Sequence, residues 1–290
     1  MKKKLALVGA RGYVGQALQE LVKHHGDLEL HVVQRDDGVK VEADAWVLAL
    51  PNGTSKPWVE AIGHDAVIVD LSADHRFDDD WVYGQPERLR DRIQRAKRIA
   101  NPGCYATAMQ LALAPLVPWL NGPANVFGVS GYSGAGTKPS PKNDPAVLKD
   151  NLLPYSLVEH VHEREVARQL GCRLFFMPHV APFFRGITVT VSVAFSAPHT
   201  KEEIAELYRT AYANEPLVTL TDGAPLVRDI MEKHHVAIDG IEVSAEGNHA
   251  VVVATIDNLL GGAATQALRN LNLALGFPER QGIPGDAAAL

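Results

Sequence analysis

The sequence predicts an α/β protein of two domains: a shortened, Rossmann-like dinucleotide-binding domain, and an α+β catalytic domain with a mainly antiparallel sheet. Two observations support this prediction. Near the N-terminus an apolar strand, a glycine-rich turn and a helical run follow one another, as at the start of a parallel nucleotide-binding unit. In the second half, segments such as 187–195 alternate Thr and Val over a long stretch, which indicates extended strands of an antiparallel sheet.

Length and composition exclude several classes of protein. The chain has 290 residues, of which 46% are hydrophobic and 21% charged, so one large or two modest domains with a full core are expected. A net charge of −6, with no basic run beyond Lys2-Lys3-Lys4, argues against nucleic acid as a partner. No apolar run is long enough for a signal peptide or a membrane span, so a cytoplasmic protein without a membrane partner is expected. Two cysteines are too few for a disulfide framework, which favours free thiols in a reducing compartment.

The first functional motif is the glycine turn that follows the predicted strand Leu5–Val8 and precedes the predicted helix Gln16–Lys23. Glycines in such a turn let the backbone approach a pyrophosphate, which then lies at the helix N-terminus. The spacing here is G-x-x-G-x-x-G, and a phosphate-binding or merely tight turn is the alternative interpretation. The turn residues assigned to the cofactor site are Gly9, Arg11, Gly12, Tyr13, Val14 and Gly15.

The end of the second predicted strand, Leu28–Gln34, indicates the choice of nucleotide. An acid there would bind the ribose hydroxyls, whereas an arginine suits a 2′-phosphate, and Arg35 follows about twenty residues after the last glycine. NADP is therefore the expected cofactor, with Asp36-Asp37 as an opposing pair or a solvated turn. The link from Arg35 to the next predicted strand, Trp46–Leu50, is too short for the usual helical crossover. A short extended crossover and an altered strand order both remain open.

Two more candidates follow in this half of the chain. Pro51 opens the turn before a predicted helix, 55–62, and is assigned to the cofactor site. Arg76 follows the predicted strand Val67–Asp70, at the edge where open α/β sheets bind ligands. It is a candidate for binding an anionic group of the substrate, and a surface ion pair with one of Asp78–Asp80 is the alternative.

One cysteine stands at the start of a helix. Cys104 follows the turn signal Pro102-Gly103 and precedes a helical run that extends toward Pro115. The helix dipole and free backbone N–H groups favour the thiolate, so Cys104 is the candidate nucleophile, with a buried core cysteine as the alternative. Cys172 precedes a predicted strand, 173–177, and is interpreted as structural.

A histidine segment offers an acid/base partner for this cysteine. His160 and His162 precede Glu165, and one imidazole would move protons while Glu165 orients it. A polar, solvated helix start is the alternative. A zinc site is not expected, because further ligands at suitable spacing are missing.

The remaining candidates concern the substrate. Ser133 lies in a loop, 131–138, that resembles an anion cradle, with a flexible loop as the alternative. His179 and Arg185 are expected in a loop before the strand predicted at 187–195. The residues assigned to substrate binding are Arg76, Ser133, Tyr155, His179 and Arg185.

Together these motifs resemble the N-acetyl-gamma-glutamyl-phosphate reductases, the NADPH-dependent enzymes of arginine biosynthesis. The resemblance covers nearly the whole chain, and its most specific motif is Asn101-Pro102-Gly103-Cys104-Tyr105. It implies that Cys104 is the nucleophile, that Asn258 lies near the cofactor, and that the last helix, 263–275, packs on the nucleotide domain. One departure is that Val161 stands where the family has an arginine between the two histidines.

The resemblance also implies an activity and an organisation. The expected reaction is the NADPH-dependent reductive dephosphorylation of N-acetyl-gamma-glutamyl phosphate to N-acetylglutamate semialdehyde through a cysteine thioester, in a homo-oligomer, either a dimer or a tetramer. The expected domains are 1–103 with 262–280 for the dinucleotide, 104–261 for catalysis and dimerisation, and a flexible tail at 281–290. The alternatives are a reductase of another acyl phosphate (aminoadipyl, aspartyl or carrier-linked) and a non-catalytic dinucleotide sensor.

Overall fold

The computed structural model of the protein describes residues 2–34 and 39–285. Its contacts divide the chain into two compact units, Met1–Gly103 with Gly262–Leu290, and Cys104–Gly261. The predicted 2′-phosphate contact of Arg35, and the neighbouring Asp36 and Asp37, lie outside the described residues. In the described ranges no helix combines the length and the apolar character that a membrane crossing needs.

The strands are β1 Lys3–Val8, β2 Leu28–Val32, β3 Ala45–Leu48, β4 Val67–Asp70, β5 Val82–Tyr83, β6 Arg98–Ala100, β7 Ala124–Gly131, β8 Leu153–Pro154, β9 Leu174–Ala181, β10 Ile187–Ala194, β11 Val218–Leu220, β12 Val236–Val243 and β13 His249–Ile256. The α-helices are α1 Tyr13–Lys23, α2 Lys56–Ile62, α3 Pro86–Ile93, α4 Cys104–Leu113, α5 Pro145–Leu148, α6 Val161–Leu170, α7 Lys201–Tyr212, α8 Val227–Ile230 and α9 Thr265–Leu275. Short 3₁₀ segments occur at Ala114–Trp119, Tyr132–Ala135 and Pro141–Asn143, and a π-helical turn at Leu260–Ala264 precedes α9.

The first unit contains a parallel sheet in the order β2-β1-β3-β4-β6-β5. A doubly wound sheet would place a third strand beside β2, but here β3 pairs with β1, with Leu5 opposite Ala45. The short link between the second and third strands left two interpretations open, an extended crossover and an altered strand order. The structure has the altered strand order. The sheet is buried on both faces, as parallel sheets are, with Trp46, Leu48 and Ile68 in its core.

The last helix completes this unit, where α9 packs against α1, α3 and β4. The buried residues of α9 include polar as well as apolar side chains: Arg269 is 3% exposed and pairs with Glu279 and Glu87 at 2.6 and 2.5 Å. The Asn272 amide donates to the carbonyl oxygens of Glu279 and Gln281. Ile283 is buried as well, so this packing includes the first residues of the segment predicted as a flexible tail. The rest of that segment, 286–290, lies outside the described residues.

The second unit contains a sheet in the order β11-β12-β13-β10-β7-β9-β8. The pairs β7–β9 and β11–β12 are parallel and the other four are antiparallel, which confirms the predicted mainly antiparallel sheet. Helix α4 packs on β10 and β13, and α6 lies beside α4. Every residue of α4 after Cys104 is buried, because one side of the helix contacts the sheet and the other contacts neighbouring helices.

One local prediction is wrong. The sequence pattern predicts a loop at His179, but β9 continues through Pro178 and His179 to Ala181. Pro178 has no N–H to donate, yet its carbonyl accepts from the Tyr155 N–H, and the residues around it pair with β7 along its length. The strand β9 therefore continues through Pro178, although a proline at this position predicts the end of a strand.

Candidate active site

The glycine turn is built so that the backbone passes close to β3. Gly9 has φ +86°, a conformation that side chains other than glycine rarely adopt, and a Cβ there would overlap the Ala49 carbonyl. A Cβ at Gly15 would overlap the Gly9 carbonyl. Helix α1 begins at Tyr13, earlier than predicted; Gly12 is its N-cap residue, and no side chain caps the helix. The turn therefore lies against the end of β3, two residues before Pro51, and offers backbone N–H groups to an anion.

The loop after β4 is held by a carboxylate network. Asp70 accepts from the hydroxyls of Ser55 and Ser72, and Asp74 accepts from the N–H groups of Gly53 and Ser55. Burial raises the pKa of Asp74, but these N–H donors outweigh it and the net shift is downward. The loop that leads to Arg76 therefore has a fixed conformation at neutral pH.

Arg76 is anchored at the carboxyl edge of the parallel sheet. The residue is 8% exposed; its Nε donates to the Asn101 carbonyl at 2.9 Å and its Nη2 to the Leu71 carbonyl at 2.8 Å. Its role toward the substrate stays a prediction.

Cys104 is the first residue of α4 and is partly exposed. The next residue, Tyr105, donates its hydroxyl to the His179 carbonyl at 2.9 Å and contacts the Phe176 ring edge-on. Burial raises the pKa of Tyr105 and of Tyr155, and the charge of Cys104 adds to the rise in both. Both phenol groups therefore lie within electrostatic range of the Cys104 sulfur, and both stay protonated at neutral pH.

His160 caps the helix that carries the other histidine. Its Nδ1 accepts from the His162 N–H at 3.1 Å, so this nitrogen is unprotonated. Burial lowers the pKa of His160 to about 4, and the positive charge of Lys142 contributes. The ring lies 5.6 Å from Tyr155 and 4.8 Å from His162, measured between centroids. At neutral pH His160 is thus a neutral cap with one nitrogen already bonded.

His162 and Glu165 lie one turn apart on α6, as their spacing predicts if a helix begins there. Glu165 is fully buried, and the His162 ring lies 6.2 Å from the Tyr105 ring. The intervening acid, Glu163, has a different role, because it accepts from the Phe176 N–H at 2.8 Å and so joins α6 to β9. The N-termini of α4 and α6 therefore lie close together, and Tyr105, the residue after Cys104, is next to His162. We call these residues, with His160 and Tyr155, the histidine cluster.

Ser133 and Asn258 belong to a second cluster. The Asn258 amide donates to the Ser133 hydroxyl at 2.9 Å and accepts from the Gly186 N–H at 2.7 Å. Arg185 pairs with buried Asp257 through Nε at 2.6 Å and Nη2 at 3.0 Å. Both polar side chains of the Asp257-Asn258 pair thus hold the Ser133 loop and the start of β10 in place.

The contacts described for the His179 ring are neither with the histidines of α6 nor with the Ser133–Asn258 cluster. On β9 the side chains alternate, so His179 and Phe176 lie on opposite faces of the sheet. The His179 ring contacts Phe127, which is 40% exposed, at 4.7 Å between centroids. What this residue contributes near Cys104 is its carbonyl oxygen.

Sequence reasoning missed two neighbours of the histidines, Tyr105 and Lys142. The adjacency of Tyr105 to Cys104 was a usable signal, whereas nothing in the local pattern around Lys142 marks it. Among the described residues no group of three or more His, Cys, Asp or Glu is arranged to hold a metal ion.

Acidification should destabilise the protein through His160. The unfolded chain binds a proton near the ordinary pKa of 6.5, whereas folded His160 stays neutral down to about pH 4, so falling pH favours unfolding between these values. Protonation would also remove the Nδ1 acceptor that caps α6. We expect the urea-unfolding free energy to fall less steeply in His160→Asn, whose amide can still cap but does not titrate. The difference is at most about 1.4 kcal/mol per pH unit, and less because the ring is partly exposed.

The control for this prediction is His160→Ala, which removes both the titrating group and the cap. It should show the same flat pH dependence as His160→Asn but cost about 1 kcal/mol more at neutral pH. Equal slopes in the wild type and His160→Asn would mean that another group titrates.

Comparison with known proteins places the chain in a family. Residues 104–258 match the family described as "Semialdehyde dehydrogenase, dimerisation domain", and residues 27–96 match "Semialdehyde dehydrogenase, NAD binding domain". The chain is 50% identical to the N-acetyl-gamma-glutamyl-phosphate reductase of Xylella fastidiosa (strain M23), over 97% of this chain and 94% of that protein. The chain belongs to the semialdehyde dehydrogenase family, among the N-acetyl-gamma-glutamyl-phosphate reductases. The resemblance seen in the sequence is thereby confirmed.

Other relatives differ in length. The reductase of Xanthomonas euvesicatoria is 49% identical over 97% of this chain and 98% of that protein. "Protein arg-6, mitochondrial" of Neurospora crassa is 51% identical over 97% of this chain, but the chain spans only 36% of the fungal protein. Aspartate semialdehyde dehydrogenase II of Vibrio cholerae, in a crystal structure, has a TM-score of 0.76 at 18% identity, over 95% of this chain and 99% of that one. This likeness confirms the predicted fold class.

Proposed function

We propose that the chain is an N-acetyl-gamma-glutamyl-phosphate reductase of arginine biosynthesis. It would convert the acyl phosphate to N-acetylglutamate semialdehyde and inorganic phosphate with NADPH. The observation that carries the proposal is Cys104 at the N-terminus of buried helix α4, beside the histidines of α6, in a chain half identical to named reductases over nearly its whole length. The unit 1–103 with 262–280 would bind the dinucleotide, and 104–261 would carry catalysis.

Cys104 starts the reaction. Its thiolate attacks the acyl carbon, a C–S bond forms, and the C–O bond to phosphate breaks with the electron pair leaving on phosphate. After reduction of the resulting thioester, the tetrahedral thiohemiacetal collapses to the aldehyde and the C–S bond breaks, which regenerates the thiolate. The helix N-terminus favours this thiolate both before attack and after release.

The glycine turn fits the cofactor. The turn is tight, because a Cβ at Gly9 or Gly15 would overlap main-chain atoms of the protein, and it leads directly into the N-terminus of α1, whose first N–H groups suit an anion. The turn residues from Gly9 to Gly15, with Pro51, would hold NADP, and NADPH when bound supplies the hydride that reduces the thioester.

His162 is the better candidate for the acid/base. It would take and return the proton of the thiol and of the thiohemiacetal oxygen, with Glu165 orienting the ring from one turn away. His160 is occupied as a helix cap, and Tyr155 is a protonated donor beside it. Asn258 is proposed to act near the cofactor by holding Ser133. Arg76 and Arg185 remain the candidates for binding the anionic groups of the substrate.

The sheet of the second unit supports self-association. Its matched family is a dimerisation domain, and Phe127 and Phe175, 40% and 48% exposed, lie on the face opposite Phe176. We propose that the chain forms a homo-oligomer, a dimer or a tetramer, through this face.

The test of the function is the reverse reaction. Purified protein is given NADP⁺, phosphate and N-acetylglutamate semialdehyde, and NADPH formation is measured against aspartate semialdehyde and the N-acetylated aminoadipate analogue. A higher kcat/KM for N-acetylglutamate semialdehyde than for either analogue is expected. Preference for an analogue would move the assignment to another acyl phosphate, and NADP⁺ binding without turnover of any aldehyde would favour a sensor.

Arg35, which lies outside the described residues, should set the cofactor preference. A charge-assisted contact to the 2′-phosphate is worth about 1.5–3 kcal/mol, which corresponds to about tenfold to hundredfold preference for NADPH over NADH. Arg35→Ala should remove most of this ratio in kcat/KM. Lys40→Ala, which removes an exposed cation five residues further along the sequence, should leave this ratio unchanged. An unchanged ratio in Arg35→Ala excludes Arg35 from the site.

A further inference from the structure

Lys142 lies beside the histidine cluster although eighteen residues separate it from His160 in the sequence. Its Nζ lies 4.7 Å from the centroid of the Tyr155 ring, a cation–π contact. Its charge is close enough to His160 to help burial in lowering the pKa of that imidazole. The charge of Cys104 in turn helps to raise the pKa of Tyr155. The Lys142 ammonium, the Tyr155 phenol and the Cys104 sulfur therefore lie in one region of the second unit.

The turn that carries Lys142 is held rigidly. Its first and last residues form a capping box, in which Asn143 accepts from the Ser140 N–H at 2.8 Å. The Asn143 amide also donates to the carbonyls of Gly136 and Lys138, at 2.8 and 2.9 Å. Because Gly136 ends the short helix that begins the Ser133 loop, the backbone of Lys142 is tied to that loop. The backbone position from which the Lys142 side chain extends is therefore fixed by these contacts.

Among the residues that the structure describes, no carboxylate neutralises the charge of Lys142. Within the described part of the chain its contact is the Tyr155 ring, and it forms no ion pair with a carboxylate there. Arg185 differs, because two of its nitrogens lie at Asp257. Arg76 belongs to the first unit, where it donates to two main-chain carbonyls. The charge of Lys142 is therefore available to an anion next to the histidines.

We propose that Lys142, beside Tyr155 and His160, binds the phosphate group of the acyl-phosphate substrate. The proposal rests on the proposed reductase function. When the sulfur of Cys104 bonds to the acyl carbon, the electron pair of the breaking C–O bond moves to a phosphate oxygen, and the Lys142 ammonium stabilises the negative charge that develops there. In the reverse direction the same site would bind inorganic phosphate. A neutral His160 fits this role, since its Nε2–H is a donor to the same anion.

The kinetic test uses three variants in the reverse reaction. Lys142→Met should raise the KM for phosphate by roughly tenfold to a hundredfold, the value of one charge-assisted contact, while the KM for the aldehyde changes less than about twofold. Lys142→Arg keeps the charge and should recover most of the loss. Lys149→Met, an exposed lysine seven residues on, is the control and should behave as wild type. A phosphate KM in Lys142→Met equal to that of Lys149→Met would overturn the proposal.

A second readout does not depend on turnover. In NMR titrations of His160, inorganic phosphate should raise the pKa of the imidazole in wild type, because a bound anion favours the protonated ring. The rise should be absent in Lys142→Met and present in Lys149→Met. If the protein does not act on N-acetylglutamate semialdehyde but shows this Lys142-dependent shift, the reductase function fails and the phosphate site stands. A shift that is equal in all three proteins, or absent from all, refutes the site.

Discussion

The Cys104→Ser variant is expected to lose about 10⁴-fold or more of the phosphate-dependent oxidation of N-acetylglutamate semialdehyde, the scale seen when a covalent nucleophile is removed. A serine hydroxyl at the start of α4 does not ionise near neutral pH, so the helix terminus has no thiolate to stabilise. The measurement is NADPH formation at saturating NADP⁺ and phosphate. NADP⁺ binding should persist, because the glycine turn is untouched.

The matched control is the other cysteine. Cys172→Ser also replaces a partly exposed thiol, just after the end of α6, and should keep near wild-type turnover. In the wild type, Cys104 should be alkylated faster than Cys172, with an apparent thiol pKa below the ordinary value of about 8.5. A profile for Cys104 centred near that ordinary value, together with an active Cys104→Ser variant, would exclude it as the nucleophile.

The second large effect concerns His162. Replacing it with asparagine should lower turnover by about 10²- to 10⁴-fold, the usual contribution of a general base. His160→Asn should cost much less, because asparagine can still cap α6 and because His160 is neutral and already bonded through Nδ1. The measurement is kcat as a function of pH for both variants, with circular dichroism to confirm that each is folded.

The two histidines serve as controls for each other. A larger loss in His160→Asn than in His162→Asn would exchange their roles, and losses below about tenfold in both would remove histidine from the acid/base step. Glu165→Gln should shift the pH profile of kcat, since the carboxylate is proposed to act through the His162 ring. A lower kcat with an unshifted profile would limit Glu165 to packing in the core, where it is fully buried.

What the sequence by itself determined was local. The glycine turn, the helix that begins at Cys104 and the helix that aligns His162 with Glu165 follow from signals within a few residues: φ-permissive glycines, a Pro-Gly turn before an uninterrupted helical run, and i,i+3 spacing. The family motif around Cys104 also lies in one short segment. Such features could be predicted because neighbouring residues fix their own backbone conformation.

Only the tertiary structure decided which distant segments meet. The place of β3 beside β1 depends on pairing across the sheet, and the continuation of β9 through Pro178 depends on β7 and Tyr155. The same holds for the side of the sheet that the His179 ring faces and for the bonds that tie Asn258 to Ser133. Lys142 reaches Tyr155 because the Asn143 amide folds its turn onto the Ser133 loop. Each depends on contacts between residues far apart in the chain, whose free energy no local pattern encodes.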